Sequence, residues 1–481
     1  MSTCIRVSCS KAAVKAMIHR IKGVSRAIGV QAEEVMNMLS LKQHINVAVT
    51  GIAGGGKTVF LTSLLSHLAE FGQGSFHLDK GVDITDFRRV PLRGDWPPAF
   101  TLSNYREDLA RGLWPGKTTD CSRYVCEFKR SDWRFSTQKI SFFDFPGERI
   151  ADASIAAFPD YGSWSDHILG HFSRHHGYLK ETGPYLEYIE RKTVSDEDLV
   201  SMYREALARL ILNYKPLISP STFLLDQKGV PATPGTPAQI AASRYAGISP
   251  ARQFAPLSDK SRKKNPELTR RMSRIYKEYR NQVVMPVFEN ISRACSMVIL
   301  VDIPSLLAGG VGRYNDDRQV LMDLFEVMRP RSDIGARLMK HLAFWQKSLN
   351  RVAFVAAKAD LVHPMDIENG RMKNLLKMMT DRARRMMSGV RSKWFVCSAC
   401  HSTFAVESRH RLKGRIFYDN PAREFREFSV TELPEAWPEK WEAGEYPFYK
   451  VFPDAPENYL IPPRHRGLDQ IFEFIASFSG R

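Results

Sequence analysis

Long apolar runs are scarce in this chain. The best candidate, CSMVILVDI at residues 295–303, has the length of a single strand and is too short to span a bilayer. The N-terminus lacks the apolar segment of a signal peptide, because basic residues interrupt it at positions 11, 15, 20, 22 and 26. These absences favour a cytoplasmic protein over an exported or membrane-spanning one.

Cysteine is also sparse, with seven in 481 residues. An odd number at this ordinary frequency suggests no disulfide framework, and a reducing compartment is the default. The chain contains no evident internal repeat. Its 43% hydrophobic and 25% charged residues are typical of a globular protein with one large elaborated domain or two to three ordinary ones.

Acidic residues are outnumbered, with 52 Asp and Glu against 69 Lys and Arg and a formal net charge of +17. This charge favours contact with an anionic surface such as nucleic acid, acidic lipid or a phosphate-rich ligand. The basic residues are nevertheless spread along the chain. A generally basic, solvated surface therefore explains the charge as well.

Residues 1–40 form a basic extension in which no acid precedes Glu33. Five of its apolar residues recur at helical spacing, namely Val14, Met17, Ile18, Ile21 and Val24. A basic amphipathic helix of this kind can lie on a membrane surface. The segment is also compatible with an ordinary surface helix, or with a true start at Met36 or Met38.

A glycine-rich stretch, GIAGGGKT at residues 51–58, follows the strand pattern HINVAVT and precedes the helix pattern VFLTSLLSHLAEF. It fits G-x-x-x-x-G-K-[ST], in which backbone N–H groups turn around phosphate oxygens at the start of a helix. Lys57 is expected to reach the β- and γ-phosphates, and Thr58 to ligate Mg²⁺. The predicted nucleotide-binding residues here are Gly51, Gly54, Gly55, Gly56, Lys57, Thr58 and Val59.

A second element, ISFFDFPGER at residues 140–149, ends an apolar strand with D-x-x-G. Asp144 is predicted to reach Mg²⁺, and the Gly147 N–H to bond the γ-phosphate. Glu148 stands where many small GTPases carry a water-orienting Gln, so it either orients water or is simply solvated. Arg149 either stabilises developing charge or is a surface residue.

Between these two elements lies WPGKTTD at residues 114–120. A switch threonine that coordinates Mg²⁺ usually occupies this interval, and Thr118 and Thr119 are the candidates. An ordinary polar turn is the alternative. The predicted catalytic set is Lys57, Thr118, Thr119 and Glu148, and the predicted metal ligands are Thr58, Asp144 and Thr119.

Two further strands end in elements that can read a base. Lys358-Ala-Asp360 is similar to the [NT]-K-x-D motif of GTPases, whose aspartate accepts hydrogen bonds from guanine N1–H and the exocyclic amine. Ala357 replaces the usual Asn or Thr, so guanine is favoured with one polar contact fewer. At the end of KWFV, Ser398 and Ala399 are small enough for a backbone N–H to approach the guanine O6.

The same place carries Cys397-Ser-Ala-Cys400-His401, which matches the C-x-x-C-H string of c-type haem attachment. Haem attachment requires export. A redox dithiol is expected at the start of a helix, and zinc needs a second ligand pair at suitable spacing. We therefore interpret Cys397, Cys400 and His401 as residues packed beside a base-reading loop.

The order of strand and helix patterns indicates an α/β fold. Strands are expected at 44–50, 123–128, 139–145, 296–303, 351–360 and 393–399, and a last helix at 468–478. Residues 80–120 are expected to be loops with a short helix at about 105–112. This alternation predicts a mostly parallel sheet of the P-loop NTPase, G-domain-like type.

The predicted organisation inserts helices into a G domain. The expected units are the basic extension (1–40), a first part of the G domain (41–150), a helical insertion (151–290) and a second part (291–481) that includes a loop-rich C-terminal excursion at about 405–465.

The set of motifs resembles the YcjX-like family of bacterial P-loop NTPases, predicted GTPases related to stress responses. The matching pieces are VAVTGIAGGGKTVFLTSLL, WPGKTTD, FFDFPGER, AAKAD and IPPRHRGLDQIFEFI, from about residue 44 to the C-terminus. The departures are Ala357 and the basic extension. The resemblance implies a soluble G domain with an inserted helical region, and a membrane-protein partner in stress physiology.

We therefore expect a GTP-binding protein that uses GTP/GDP and Mg²⁺, hydrolyses GTP slowly and acts as a molecular switch. An ATP-binding or ATP-hydrolysing P-loop NTPase and a nucleotide-binding scaffold without turnover are the alternatives. Besides guanine nucleotide, the expected partner is a membrane protein or acidic membrane at the inner membrane face. Basic segments at 260–277 and 381–387 make nucleic acid a weaker candidate, and no oligomeric state is predicted.

Overall fold

The structure is a computed structural model that describes most of the chain between residues 44 and 476. The described ranges are 44–51, 54–71, 83–92, 97–116, 121–131, 137–174, 176–191, 194–214, 217–224, 236–243, 248–328, 349–387, 389–407, 410–418 and 423–476. The predicted N-terminal extension lies outside these ranges, and so do Thr118 and Thr119.

In the described part of the chain, seven strands form the main sheet. They are β1 His44–Gly51, β2 Ile84–Arg89, β3 Ser122–Arg130, β4 Gln138–Asp144, β5 Ser296–Val301, β6 Arg351–Ala356 and β7 Arg391–Val396. Their order is β2-β3-β4-β1-β5-β6-β7. The pairs β4–β1, β1–β5, β5–β6 and β6–β7 are parallel, and β2–β3 and β3–β4 are antiparallel. β5 and β6 are buried along their whole length, which explains their continuous apolar sequences.

A small second sheet follows the main one in sequence. Its strands are β8 Thr403–Ala405, β9 Arg411–Gly414 and β10 Arg426–Ser429, paired antiparallel in the order β10-β9-β8.

Helices connect and cover the strands. The first group is α1 Lys57–Ala69, α2 Leu102–Ala110, α3 Ala153–Ala157, α4 Tyr161–Arg174, α5 His176–Ile189, α6 Asp196–Tyr214, α7 Pro237–Ser243, α8 Asp259–Lys264, α9 Pro266–Tyr279 and α10 Met285–Ser292. The second is α11 Ile303–Ala308, α12 Gly310–Met328, α13 Pro364–Glu368, α14 Arg371–Arg385 and α15 Leu468–Ala476. Among the described residues, no helix is long and apolar enough to cross a membrane.

Buried side chains form a core on each face of the main sheet. On one face α1 and α15 contribute fully buried residues such as Leu64 and Phe472. On the other, α12 and the helices between β4 and β5 enclose a larger core that contains Trp164 and Tyr276. The result is a three-layer arrangement with helices on both faces of a mostly parallel sheet.

The predicted α/β fold with a mostly parallel sheet is confirmed, and each predicted strand is present. The short helix expected near 105–112 is α2, at Leu102–Ala110. The expectation of loops at 80–120 was wrong for β2, an edge strand with only Ile84 buried. The predicted C-terminal excursion also contains β9 and β10. Their four-residue strands carry no strong periodic signal, because distant pairing stabilises them.

Candidate functional site

The carboxyl ends of β1, β4, β5, β6 and β7 lie at one edge of the sheet because these strands are parallel. Ligands of open α/β sheets bind in the crevice at this edge. A cavity of about 750 Å³ lies there. The predicted site residues that line it are Gly54, Gly55, Gly56, Lys57, Thr58, Val59, Gly147, Glu148, Lys358, Asp360 and Ala399.

Three glycines shape the turn between β1 and α1, where a side chain would strain the backbone or clash with β5. Gly54 and Gly56 have φ angles of 82° and 78°, a left-handed conformation that favours glycine. Gly51 passes so close to β5 that a Cβ atom would lie 2.4 Å from the Leu300 carbonyl oxygen. The turn is therefore built from backbone, as a phosphate cradle requires.

Lys57 and Thr58 begin α1, and each is only 8% exposed. The Lys57 Nζ donates to the Gly51 carbonyl at 3.3 Å, so the ammonium folds back over the phosphate loop (residues 51–58). Gly56 is the N-cap of a 13-residue helix whose positive end faces the cavity. Loop, ammonium and helix end together suit an anionic ligand.

Asp144 is the last residue of β4 and lies beside the phosphate-loop strand. It pairs in register with Val49, whose carbonyl accepts the Phe145 N–H at 3.1 Å. Gly147 and Glu148, three and four residues after Asp144, line the cavity. Arg149 instead pairs with buried Asp152, its Nη1 lying 3.7 Å from the carboxylate.

The described start of the predicted switch segment also reaches the cavity. Trp114, Pro115 and Gly116 line it, and the Trp114 indole N–H donates to the Val451 carbonyl at 2.7 Å. This bond ties the segment to the C-terminal excursion. The candidates Thr118 and Thr119 follow directly in the sequence but lie outside the described residues.

Thr58 and Asp144 are the predicted magnesium ligands that the structure describes. A hydroxyl and a carboxylate at the phosphate loop are oxygen donors of the kind that Mg²⁺ prefers. The described part of the chain has no cluster of three or more His, Cys, Asp or Glu suited to a metal. Mg²⁺ usually takes one or two protein ligands and completes its shell with water and phosphates, so this sparse pair fits Mg²⁺ bound with a nucleotide.

Lys358 stands at a sharp turn after β6. Its φ of 58° is uncommon for a residue with a side chain, and the Ala359 N–H fixes the turn by donating to the Cys397 carbonyl at 3.1 Å. Its Nζ lies 2.5 Å from a carboxylate oxygen of Asp302, which also caps α11 through the Ser305 N–H at 3.0 Å. The sequence reasoning missed Asp302, although a buried acid directly after an apolar strand is a usable signal.

Two serines orient the half-buried Asp360 carboxylate. The Ser398 hydroxyl donates to one oxygen at 2.8 Å, and the Ser402 N–H donates to the other at 3.0 Å. Ser398 is itself held by a two-way backbone bridge to Arg466. Ser398 is not among the residues that line the cavity but holds the Asp360 carboxylate in place, whereas Ala399 lines the cavity directly.

The cysteines of the C-x-x-C-H string lie in the same loop. Cys397 and Cys400 are free thiols, 2% and 4% exposed, that form part of the cavity wall. Burial raises the pKa of both thiols well above the ordinary value, so both stay protonated at neutral pH. Burial also lowers the pKa of His401. The structure thus packs these side chains beside Ser398 and Asp360.

Arg313 of α12 adds positive charge to the cavity wall. Its Nε lies 3.8 Å from an Asp317 carboxylate oxygen. Burial raises the pKa of Asp317 to about 8, an effect that Arg313 opposes and the carboxylates of Asp316 and Asp302 reinforce. The raised pKa of Asp317 weakens its neutralisation of the neighbouring guanidinium. The sequence reasoning missed Arg313, which follows no strand and belongs to no motif.

The cavity wall has two further parts that the motifs did not predict. Asn213 and Tyr214, at the end of α6, contribute from the helical insertion. Phe417, Tyr418 and Tyr449 contribute from the C-terminal excursion. Their sequences, IFYD and PFYKVF, have no periodicity or spacing that marks a site.

Comparison with known proteins identifies a matching family and a curated relative. The profile of the YcjX-like family, DUF463, matches residues 45–477. A curated protein of Escherichia coli (strain K12), named "Ras-like GTPase YcjX", is 25% identical over 366 residues, which cover 71% of this chain and 74% of that protein.

Proposed function

Because the chain belongs to the YcjX-like family, we propose that it binds guanine nucleotides, hydrolyses GTP slowly and acts as a molecular switch. The observation that carries the proposal is the convergence of the phosphate loop, Gly147, Asp360 and Ala399 on one cavity. The name of the Escherichia coli relative, a Ras-like GTPase, supports the same reading.

The phosphate end of the cavity has the groups that a triphosphate needs. Backbone N–H groups of the phosphate loop and the Lys57 ammonium bind the β- and γ-phosphates. Thr58 and Asp144 hold Mg²⁺, which neutralises phosphate charge when it is bound with the nucleotide. The N–H of Gly147 contacts the γ-phosphate, so that this segment relaxes after hydrolysis.

The other end of the cavity suits a guanine base. The Asp360 carboxylate, fixed by Ser398 and Ser402, accepts from N1–H and the exocyclic amine. A backbone N–H near Ala399 approaches O6. Adenine presents an acceptor at N1 and no amine at C2, so it gives the half-buried carboxylate no hydrogen bond and sets the N1 lone pair against it.

Hydrolysis is expected to be slow. Glu148 lines the cavity where a water-orienting group belongs, but a carboxylate only accepts hydrogen bonds, whereas a glutamine also donates them. Arg149 lies beside Asp152 and is not among the described residues that line the cavity, so it is not placed to stabilise developing charge. If the hydrolysis rate is zero, the same site describes a scaffold that binds nucleotide without turnover.

We place the switch at the inner membrane face, in stress physiology, with a membrane protein or acidic membrane as partner. The family resemblance and the net charge of +17 support this part of the proposal. Nucleic acid is less favoured, because basic side chains of the 260–277 segment pair with acids of the same chain. These pairs are Lys260 with Glu190, Arg262 with Asp166 and Arg271 with Asp196.

The test is GTP turnover by the wild type and by Lys57→Ala, measured as phosphate release with ATP as competitor. Loss of a charge-assisted contact to the phosphates should lower turnover about 10- to 100-fold. Lys260→Ala, an exposed lysine on α8, should behave as wild type.

Each rival predicts another result. If ATP competes for the site as strongly as GTP does, the protein does not select guanine, and the ATPase alternative is favoured. Tight GTP binding with no phosphate release, alone or with membranes, would indicate a scaffold.

A further inference from the structure

Three aromatic side chains on the cavity wall remain unusually exposed. Phe417, Tyr418 and Tyr449 are 46%, 64% and 44% exposed, and all three come from the C-terminal excursion. Clustered exposed apolar surface usually marks a place where a ligand or partner binds. The question is which ligand fits a wall of flat rings at this position.

Backbone hydrogen bonds and a ring stack hold the wall in place. The Phe417 N–H donates to the Lys450 carbonyl at 2.8 Å, and the Phe452 N–H donates to the Arg415 carbonyl at 2.7 Å, so the two segments form a short antiparallel ladder. The Phe417 ring stacks on Phe452 with centroids 4.0 Å apart and an interplanar angle of 13°. One face of Phe417 is thus covered by protein, while the ring still borders the cavity.

The wall also adjoins the base-reading residue. Leu361, directly after Asp360, and Ile416, directly before Phe417, pack against the same small core. That core consists of Leu412, Phe428, Val430 and Val451. A second link joins the Asp454 N–H to the His401 carbonyl at 2.8 Å. The aromatic rings therefore lie on the part of the cavity wall that adjoins Asp360.

We propose that Phe417 and Tyr418 stack on the face of the purine whose edge Asp360 reads. This inference rests on the proposed function and adds a binding surface that no motif of the chain contains. A stacked ring gains from any flat base, so the wall raises affinity for guanine and adenine nucleotides alike. Selection of guanine then depends on the contacts to the edge of the base, at Asp360 and near Ala399, and not on the aromatic wall.

The experiment measures Kd of the full chain for GDP and for inorganic tripolyphosphate, which has no base, by calorimetry. Stacking is worth about 1–3 kcal/mol per base, so Phe417→Ala/Tyr418→Ala should weaken GDP binding about 10- to 100-fold. The affinity for tripolyphosphate should not change. The conservative pair Phe417→Tyr/Tyr418→Phe should bind GDP as the wild type does.

The matched control is Tyr459→Ala. Tyr459 belongs to the same C-terminal excursion and is 53% exposed, but it lies beside Arg106 and not on the cavity wall. Its loss should leave the Kd for GDP unchanged.

Two results would overturn the stacking proposal while the proposed function stands. One is a wild type that binds GDP and an alanine pair that binds it equally well. The other is an equal loss of GDP and tripolyphosphate affinity, which would show that the two rings do not act on the base. A wild type that binds neither GDP nor GTP would remove the proposed function and the stacking proposal together.

Discussion

The Asp360 carboxylate has an oxygen turned to each of two serines, Ser398 and Ser402. A serine hydroxyl can accept as well as donate, whereas a backbone N–H only donates. The Ser402 hydroxyl also donates to the same oxygen as its N–H, but that N–H cannot become an acceptor, so the two sides of the carboxylate are not equivalent. Replacement of one carboxylate oxygen by NH₂ is tolerated on the Ser398 side, because that hydroxyl can turn to accept.

This asymmetry makes Asp360→Asn a sharp test at the residue scale. The amide loses the acceptor for the guanine amine and gains a donor for the 2-oxo group of xanthine. GDP affinity should fall about 10- to 100-fold, as expected for a lost charge-assisted hydrogen bond, and XDP affinity should rise. Equilibrium titration with both nucleotides measures the change.

Ser398→Ala is the matched control, because Ser398 touches Asp360 but does not line the cavity. It should weaken GDP and XDP binding alike. An Asp360→Asn protein with wild-type preference for GDP would show that this carboxylate does not read the base.

At the scale of elements, α1 connects the phosphate loop to the C-terminal end of the chain. His67, in its last turn, is 3% exposed, and its Nε2 donates to the Pro463 carbonyl at 2.9 Å. The His465 ring lies 4.4 Å away, edge to face. Burial, with a smaller contribution from His465, lowers the pKa of His67 to about 4.

The lowered pKa predicts a loss of stability in acid. Between pH 6.5 and about 4 the unfolded chain takes up a proton at His67 that the folded chain refuses, so the free energy of unfolding falls as pH falls. The contribution is at most about 3 kcal/mol. His67→Gln keeps an N–H donor for Pro463 but does not titrate, so its melting temperature should fall less between pH 7 and pH 5 than that of the wild type.

Exposed His176 supplies the control for this comparison. His176→Gln should melt as the wild type does at every pH. Parallel melting curves for wild type and His67→Gln across the same pH range would contradict the prediction.

Elements differed in how far the sequence predicted them. β5 and β6 are buried throughout and read directly as apolar runs. β2 exposes most of its side chains at the sheet edge, so its composition looked like a loop. β9 and β10 are four residues long, and their pairing depends on turns and packing that no local pattern encodes.

At the scale of the whole molecule, the net charge of +17 remains after internal ion pairs are formed, since a pair removes one charge of each sign. Attraction to an anionic surface is screened over about 10 Å at 0.1 M salt and about 3 Å at 1 M. The full chain should therefore sediment with phosphatidylserine-containing vesicles at low ionic strength and be released at high ionic strength.

Vesicles of phosphatidylcholine alone are the control and should leave the protein in solution. Absence of binding to the anionic vesicles even at low salt would argue against an acidic membrane as partner.

The sequence predicted those site residues that directly follow an apolar strand. The phosphate loop, Asp144, Gly147 and Asp360 each stand directly after an apolar run or within a fixed spacing, so one-dimensional reasoning finds them. Phe417 lines the same cavity because a backbone hydrogen bond to Lys450 and ring stacking on Phe452 place it there. No sequence rule specifies which distant loop will cover a site.

The bond between Trp114 and Val451 has a consequence for how the protein is made. These residues are 337 positions apart, and the central strand β1 needs β5, more than 240 residues later, to complete its pairing. A ribosome releases the chain from the N-terminus onward. The phosphate loop therefore leaves the ribosome early, but its cavity closes only when synthesis is nearly complete. An unfinished chain carries the loop without the walls that would hold a nucleotide against it.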